Sequence, residues 1–299
     1  MTREVSTVQF TILGPLSARR DGGDLELGGR QQRLVLALLL AHAGSVTPLS
    51  DLVDTIWNQQ PPASAVNIVH RCIGTLRRII EPHLPVRAVG AYLIRHAAGY
   101  QLRVDDDSLD LMRFRRLVAE ARHATDAATA VRLYTGALAL WRGSCAANLD
   151  PEVRVHPAFT AIEAEYAKVV RDAADIALHS RHVPAIIPAL RQAAAQNPLD
   201  EALQARFILA LAADGRQAEA TETFQSVRQR LRDELGIDPS PVLRDAHVRV
   251  LRQRTAAPQQ PARPATSRRV QILRHLSKRT WISGVDRLPE CPEQATLCC

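Results

Sequence analysis

Between Val8 and Leu13 apolar and polar residues alternate (Val-Gln-Phe-Thr-Ile-Leu) ahead of Gly14-Pro15, the period-two pattern of a strand. Leu16–Arg20 and Leu25–Leu27 flank Asp21-Gly22-Gly23, and the Asp-Gly step predicts a hairpin between them. The period then changes. Gln31 to His42 is strongly apolar and ends at Gly44, which predicts a helix. Thr47-Pro48 has the form of a cap followed by proline at the first helical position, and Leu49, Leu52, Val53 and Ile56 continue with helical spacing up to Trp57. Pro61-Pro62 breaks the chain, and a third helix is expected from about Ala63 to Ile80, stopped by Pro82. Tyr92–Arg95 and Tyr100–Arg103, separated by His96-Ala97-Ala98-Gly99, predict a second hairpin. Strands, three helices and a hairpin, in that order, make a winged helix-turn-helix.

From Leu109 to about Arg254 the pattern is helical throughout. Breaks are expected at Gly143, Asp150-Pro151, His156-Pro157, near Pro184, at Asn197-Pro198, at Asp214-Gly215 and from Gly236 to Pro241. Asn197-Pro198, a helix to Ala213, Gly215, and a helix from Gln217 to Leu235 match a tetratricopeptide-like helix pair of about 34 residues. A plain helical bundle is the alternative. The predicted fold class is mainly α with a small antiparallel β component: a winged helix over residues 1–105, an α-helical tetratricopeptide-like repeat domain over 106–254, and a basic tail over 255–299. The tail opens on a proline-rich stretch, Ala256 to Pro264, that reads as a flexible linker, and its basic segment Arg268–Arg279 fits a short helix.

On a helical wheel of the third helix, Val66, Val69, Ile73, Leu76 and Ile80 fall within about 80° of one another and form the expected buried stripe. The opposite face carries Asn67, Arg71, Thr75 and Arg78, with Gly74 beside them and Ser64 at the N-terminal end. Such a helix can lie in a major groove with its apolar side on the domain core. Arginine forks onto guanine and asparagine pairs with adenine. Thr75 suits a phosphate or a thymine methyl. Arg77 sits nearer the core edge, where a backbone phosphate or a helix-end partner fits better than a base. Arg95 and His96 at the hairpin tip are placed for a phosphate or a minor groove, whereas Tyr100 reads as a core residue of the hairpin.

Charge follows this division. The chain carries 38 Lys and Arg against 31 Asp and Glu, a formal net charge of +7. Residues 106–254 hold 20 of each sign, so the excess lies at the two ends. Within residues 62–103 there are six arginines and one acid, Glu81. That is the local excess a phosphate-facing surface requires, and a solvated basic face is the alternative.

Enzyme chemistry is not indicated. The chain has no Walker-type glycine loop, no Gly-x-Ser-x-Gly elbow and no His-Glu-x-x-His spacing. Cys72, Cys145, Cys291, Cys298 and Cys299 form no Cys-x-x-Cys pair, so reduced thiols are expected rather than a zinc site or a disulfide framework. Asp105-Asp106-Asp107 reads as a solvated linker. No catalytic residue, metal or cofactor is assigned. The longest apolar run, Leu34–Ala41, is too short to span a bilayer and the N-terminus lacks a signal-peptide core, so a cytoplasmic, nucleoid-associated location is expected.

Six segments in order resemble the Streptomyces antibiotic regulatory protein family, over about residues 8–252. Phe10–Leu16 is similar to its opening strand, Leu27–Arg33 to the lead-in of its first helix, and Asp51–Trp57 with Pro61-Pro62-Ala63 to its second helix and turn. Gly99–Leu102 resembles its wing, Leu138–Gly143 the hallmark of its activation domain and Glu234–Pro241 the closing motif. The resemblance implies an OmpR-type winged helix joined to a bacterial transcriptional activation domain. It implies a sequence-specific DNA-binding activator of a secondary-metabolite gene cluster. It also implies that protomers bind promoter direct repeats side by side, as a homodimer on double-stranded DNA, and recruit RNA polymerase holoenzyme. The family's recognition helix commonly reads Val-Ser-Arg-Leu-Arg where this chain has Ile73-Gly74-Thr75-Leu76-Arg77, so a serine and an arginine are absent. Two other readings compete with the activator: a protein-interaction module with weakened DNA binding, and a regulator that senses a small molecule in the repeat groove.

Overall fold

The computed structural model describes residues 8–57, 60–85, 88 and 90–256. The basic segment Arg268–Arg279 and Cys291, Cys298 and Cys299 lie outside the described residues.

The N-terminal sheet is antiparallel, with strands β1 (Val8–Thr11), β2 (Ser17–Arg20) and β3 (Gly23–Asp24) in that order. Arg20 pairs with Gly23 across the two-residue turn Asp21-Gly22, whose φ values of 50° and 81° are the positive values this turn needs. The third strand is shorter than the alternation implied and lies earlier. Leu25 still donates to the Ala18 carbonyl at 2.8 Å, but Leu27 has already turned into the core. The first strand also stops early, because the amides of Ile12 and Leu13 bond a side chain elsewhere instead of a strand.

Three helices follow: α1 (Arg30–Ala41), α2 (Leu49–Trp57) and α3 (Ala65–Ile80). Eight consecutive residues of α1, Leu34–Ala41, are buried, as suits a helix covered on all sides. Thr47-Pro48 does not cap α2. It forms a short strand, β4, that pairs with β6 (Gly99–Leu102), which in turn pairs with β5 (Leu93–Arg95). The Thr47 hydroxyl is buried with no partner among the described residues, so it satisfies no helix amide. The α2 amide of Leu49 bonds the Ala98 carbonyl instead, at 3.0 Å.

The helical part contains α4 (Asp110–Arg122), α5 (Ala127–Leu138), α6 (Pro151–Arg154), α7 (Pro157–Ser180), α8 (Ile187–Gln196), α9 (Glu201–Ala213), α10 (Gln217–Leu235) and α11 (Pro241–Ala256). The break between α4 and α5 has no glycine or proline. Asp126 makes it, accepting a 2.8 Å bond from the Thr129 amide as the N-cap of α5. Helix α5 packs on α7, α7 on α9 and α9 on α11, while α8 and α10 fill the second row. This is the stacking of a helical-hairpin array. Gly236 ends α10 in the left-handed conformation, φ 67°.

The two parts share one continuous core. Their junction is made by the loop after β1 and the segment after α5. Asp110, with only 8% of its side chain exposed, accepts bonds from the amides of Ile12 (2.9 and 3.1 Å) and Leu13 (3.1 Å). The Arg142 amide donates to Leu13 (2.7 Å) and the Ala146 amide to Ile12 (3.0 Å). Asn148 braces Leu16 twice, accepting from its amide at 2.8 Å and donating to its carbonyl at 3.0 Å. Gly14, φ 140°, lies where a Cβ would stand 3.0 Å from that of Arg142. Trp141 stacks on Tyr166 at 4.2 Å just behind this seam. The Asp105–Ser108 turn is ordered by reciprocal bonds, each amide to the other's side chain at 2.8 Å, and the Asp105 carboxyl is held below its ordinary range chiefly by Ser108. Asp106 is ion-paired with Arg116. The acidic run is therefore a capped turn, not only a solvated linker.

Candidate nucleic-acid interface

Helix α3 buries Ala65, Val69, Cys72, Ile73, Leu76 and Ile80 against α1 and α2. Val66 is not part of this stripe. It is 43% exposed, because in the first turn Ala65 faces the core and turns Val66 outward. Burial pushes the Cys72 thiol up, against the opposing influence of Arg71, so it stays a protonated core residue.

The opposite face is open. Ser64, Asn67, Arg71, Gly74 and Arg78 are exposed and Thr75 is half-buried. Positions 67, 71, 74 and 78 recur at the helical spacing, so they form one straight row. No acidic residue occurs in α3, and the first turn has no side chain capping its amides. Ser64 is exposed and makes no capping bond, and of the first-turn amides that of Ala65 donates to the Pro62 carbonyl at 2.9 Å. The side chains of Asn67 and Arg71 make no hydrogen bond or ion pair among the described residues. Arg78 lies back along the helix, with Nε 3.4 Å from the Gly74 carbonyl and Nη2 3.3 Å from Thr75 Oγ1.

Arg77 is turned away from this row. Its Nη2 donates to the Leu93 carbonyl of β5 at 2.7 Å, and its half-buried side chain joins the helix to the hairpin. Arg20 of β2 does the same job at the helix's C-terminal end, donating to the carbonyls of Ile79 (2.9 Å) and Ile80. These carbonyls have no intrahelical partner, and a cation there also complements the helix dipole. Sequence reasoning missed Arg20. Its partners lie 59 and 60 residues away, and no local pattern marks it.

The hairpin packs edge-on beside α3: His70 of the helix meets Tyr100 with ring centroids 6.1 Å apart, and Tyr100 is buried. Arg95 and His96 are exposed at its tip. His96 Nε2 is 2.9 Å from Gln101 Oε1, and Gln101 in turn bonds the Gly44 carbonyl, so the tip is braced to the loop after α1. Gly99 is required here: a Cβ at this position would overlap the Thr47 carbonyl oxygen. Among the described residues no three metal-ligating side chains cluster and no helix is long and apolar enough to cross a membrane.

Comparison with known proteins identifies both parts of the chain. Residues 22–102 match the model of the transcriptional regulatory protein C-terminal domain, and residues 109–251 match that of the bacterial transcriptional activator domain. The chain is 32% identical over 251 residues to the regulatory protein DnrI of Streptomyces peucetius, covering 82% of this chain and 92% of DnrI. It is also 32% identical over 251 residues to the regulatory protein AfsR of Streptomyces coelicolor, but spans only 24% of that longer protein. The transcriptional regulator RedD of Streptomyces coelicolor is 31% identical over 250 residues, 82% of this chain and 71% of RedD. Among solved structures, Mycobacterium tuberculosis EmbR in complex with a low-affinity phosphopeptide superposes with a TM-score of 0.66 at 30% identity, covering 83% of this chain and 66% of EmbR. The chain belongs to the Streptomyces antibiotic regulatory protein family, an OmpR-type winged helix joined to a bacterial transcriptional activator domain, and is a transcriptional regulator rather than an enzyme.

Proposed function

We propose that this regulator activates a secondary-metabolite gene cluster by laying the exposed row of α3 in the major groove of promoter DNA. The observation that carries the reading is the row itself: Asn67, Arg71, Gly74 and Arg78 share one outward face with no acid in the helix, and Asn67 and Arg71 have no protein partner among the described residues. Polar side chains held this way are available to base edges at little cost, since no internal bond must be broken. Ser64 and the uncapped N-terminus of α3 suit a backbone phosphate. Arg95 and His96 suit a phosphate or the adjacent minor groove. Arg77 serves the DNA indirectly, by fixing the angle between helix and wing.

The helical array supports the second half of the reading. It is joined to the winged helix by the bonds of Asp110, Arg142 and Asn148, and a protomer docked on DNA would present its array from that junction. Side-by-side protomers on direct repeats would then offer a repeated surface to RNA polymerase holoenzyme. The test is a salt-titrated gel shift on the promoters flanking the gene, followed by footprinting. The reading predicts a discrete shift that survives nonspecific competitor and a protected direct repeat. Binding that competitor abolishes on every fragment would contradict it.

A further inference from the structure

Gly74 stands in the middle of the exposed row, yet the fold has no use for it. Its φ is not among the positive values adopted by seven other glycines, so the backbone there is ordinary helix. A Cβ placed on it would meet nothing within 4 Å. Gly14 and Gly99 differ in this respect, since a Cβ at either is blocked by the protein itself. Glycine in a helix interior is less favourable than alanine, so at Gly74 the folded protein forgoes stability and gains no internal contact.

What Gly74 does create is a gap between two guanidinium groups. Arg71 lies three residues before it and Arg78 four after, a rise of about 4.5 and 6 Å along the axis. Arg78 is drawn toward the gap by its contacts to the Gly74 carbonyl and Thr75 Oγ1. The Thr75 hydroxyl is thereby engaged from the side. The surface of the row is long side chain, bare backbone, long side chain. In the major groove the one feature that projects as an apolar knob is the C5-methyl group of thymine. A bare Cα flanked by two hydrogen-bonding arms is complementary to that methyl and to polar base edges on either side of it.

We propose that Gly74 is a specificity-determining residue, a notch that seats a thymine methyl while Arg71 and Arg78 straddle it. The inference rests on the DNA-binding reading given above. It predicts that the added methyl of Gly74→Ala collides with the methyl of one thymine in each half-site, and that removing that methyl from the DNA relieves the collision.

The experiment uses the full chain, its Gly74→Ala variant and synthetic duplexes of the footprinted segment, with each thymine replaced in turn by deoxyuridine. Gly74→Ala should melt higher, by about 2–4 °C, which also shows that it is folded. Its affinity for the all-thymine duplex should fall about tenfold, the equivalent of about 1.4 kcal/mol of overpacking. Deoxyuridine at one position per half-site should restore most of that loss, while the same duplex weakens binding by the wild-type chain. Undiminished binding by Gly74→Ala overturns the notch and leaves the DNA reading standing. A loss that no deoxyuridine relieves also overturns it. If the wild-type chain selects no duplex at all, the DNA reading fails and the notch fails with it.

Discussion

At the scale of single residues, the arginines of the winged helix divide by what they touch. Arg71 and Arg95 are exposed, whereas Arg20 and Arg77 spend their guanidinium groups on carbonyls of the protein. A count of charges makes them equivalent; the helical wheel sets Arg77 apart, and the structure adds Arg20. The division has a consequence for binding. Arg95→Ala should weaken binding by a similar factor on specific and nonspecific duplexes and lower the salt slope by about 1, as loss of one phosphate contact does. Titrations at several salt concentrations on both duplexes check this. A loss confined to one sequence would mean that Arg95 reads a base. The exposed row was legible in the sequence because helical period alone places 67, 71, 74 and 78 on one side. Val66 was misplaced because a wheel treats every turn alike, and the first turn of α3 is where the core ends.

At the scale of elements, the hairpin is positioned by its fit to β4. Gly99 is the tightest point of that fit, its Cα facing the Thr47 carbonyl. Gly99→Ala must either push β4 away or distort β6, and overpacking of this kind typically costs about 1–3 kcal/mol. Thermal or urea unfolding should show that loss, with DNA affinity falling as the wing shifts. Stability unchanged from wild type would show that β4 and β6 do not pack as described. The strand Thr47-Pro48 was hidden from sequence reasoning because threonine-proline is also a good helix start. Long-range pairing with Tyr100 and Gly99 decided between the two. The break between α4 and α5 was hidden for the opposite reason: one aspartate cap ended the run without glycine or proline. Breaks marked by glycine or proline, at Gly143, Pro157, Gly215 and Gly236, were legible because glycine admits the positive φ that ends a helix and proline lacks the amide that would continue one.

At the scale of the whole molecule, two of the six motifs that carry the family resemblance are the halves of one seam. Phe10–Leu16 and Leu138–Gly143 meet across more than a hundred residues through Asp110, Arg142 and Asn148. Sequence order showed each motif but not their contact, because nothing local pairs a loop after a strand with a segment after a helix. Asp110 supplies a pH test of the seam. Burial pushes its carboxyl up, against the amides of Ile12 and Leu13 and the Arg142 guanidinium. Its folded pKa thus exceeds its unfolded one, so the folded chain holds the proton more tightly. The contribution to stability is full below the ordinary aspartate value near 3.8 and is lost as pH rises through the folded value. Measured by urea unfolding, the wild-type chain should lose stability relative to Asp110→Asn as pH rises from that range toward neutrality. A difference that stays constant or grows in favour of wild type would show that the amides and Arg142 outweigh burial at Asp110.

If the outward row of α3 reads promoter DNA, Arg71 is the side chain whose loss should matter most. It is exposed, central and without a protein partner among the described residues, so its removal should leave the fold untouched. The measurement is equilibrium binding of the wild-type chain and Arg71→Ala to the footprinted promoter duplex and to a scrambled one, at matched salt. Arg71→Ala should lose about 1–3 kcal/mol on the promoter duplex and much less on the scrambled one, with the same melting temperature as wild type. Equal affinity of the two chains for the promoter duplex would contradict a DNA-reading role for the row.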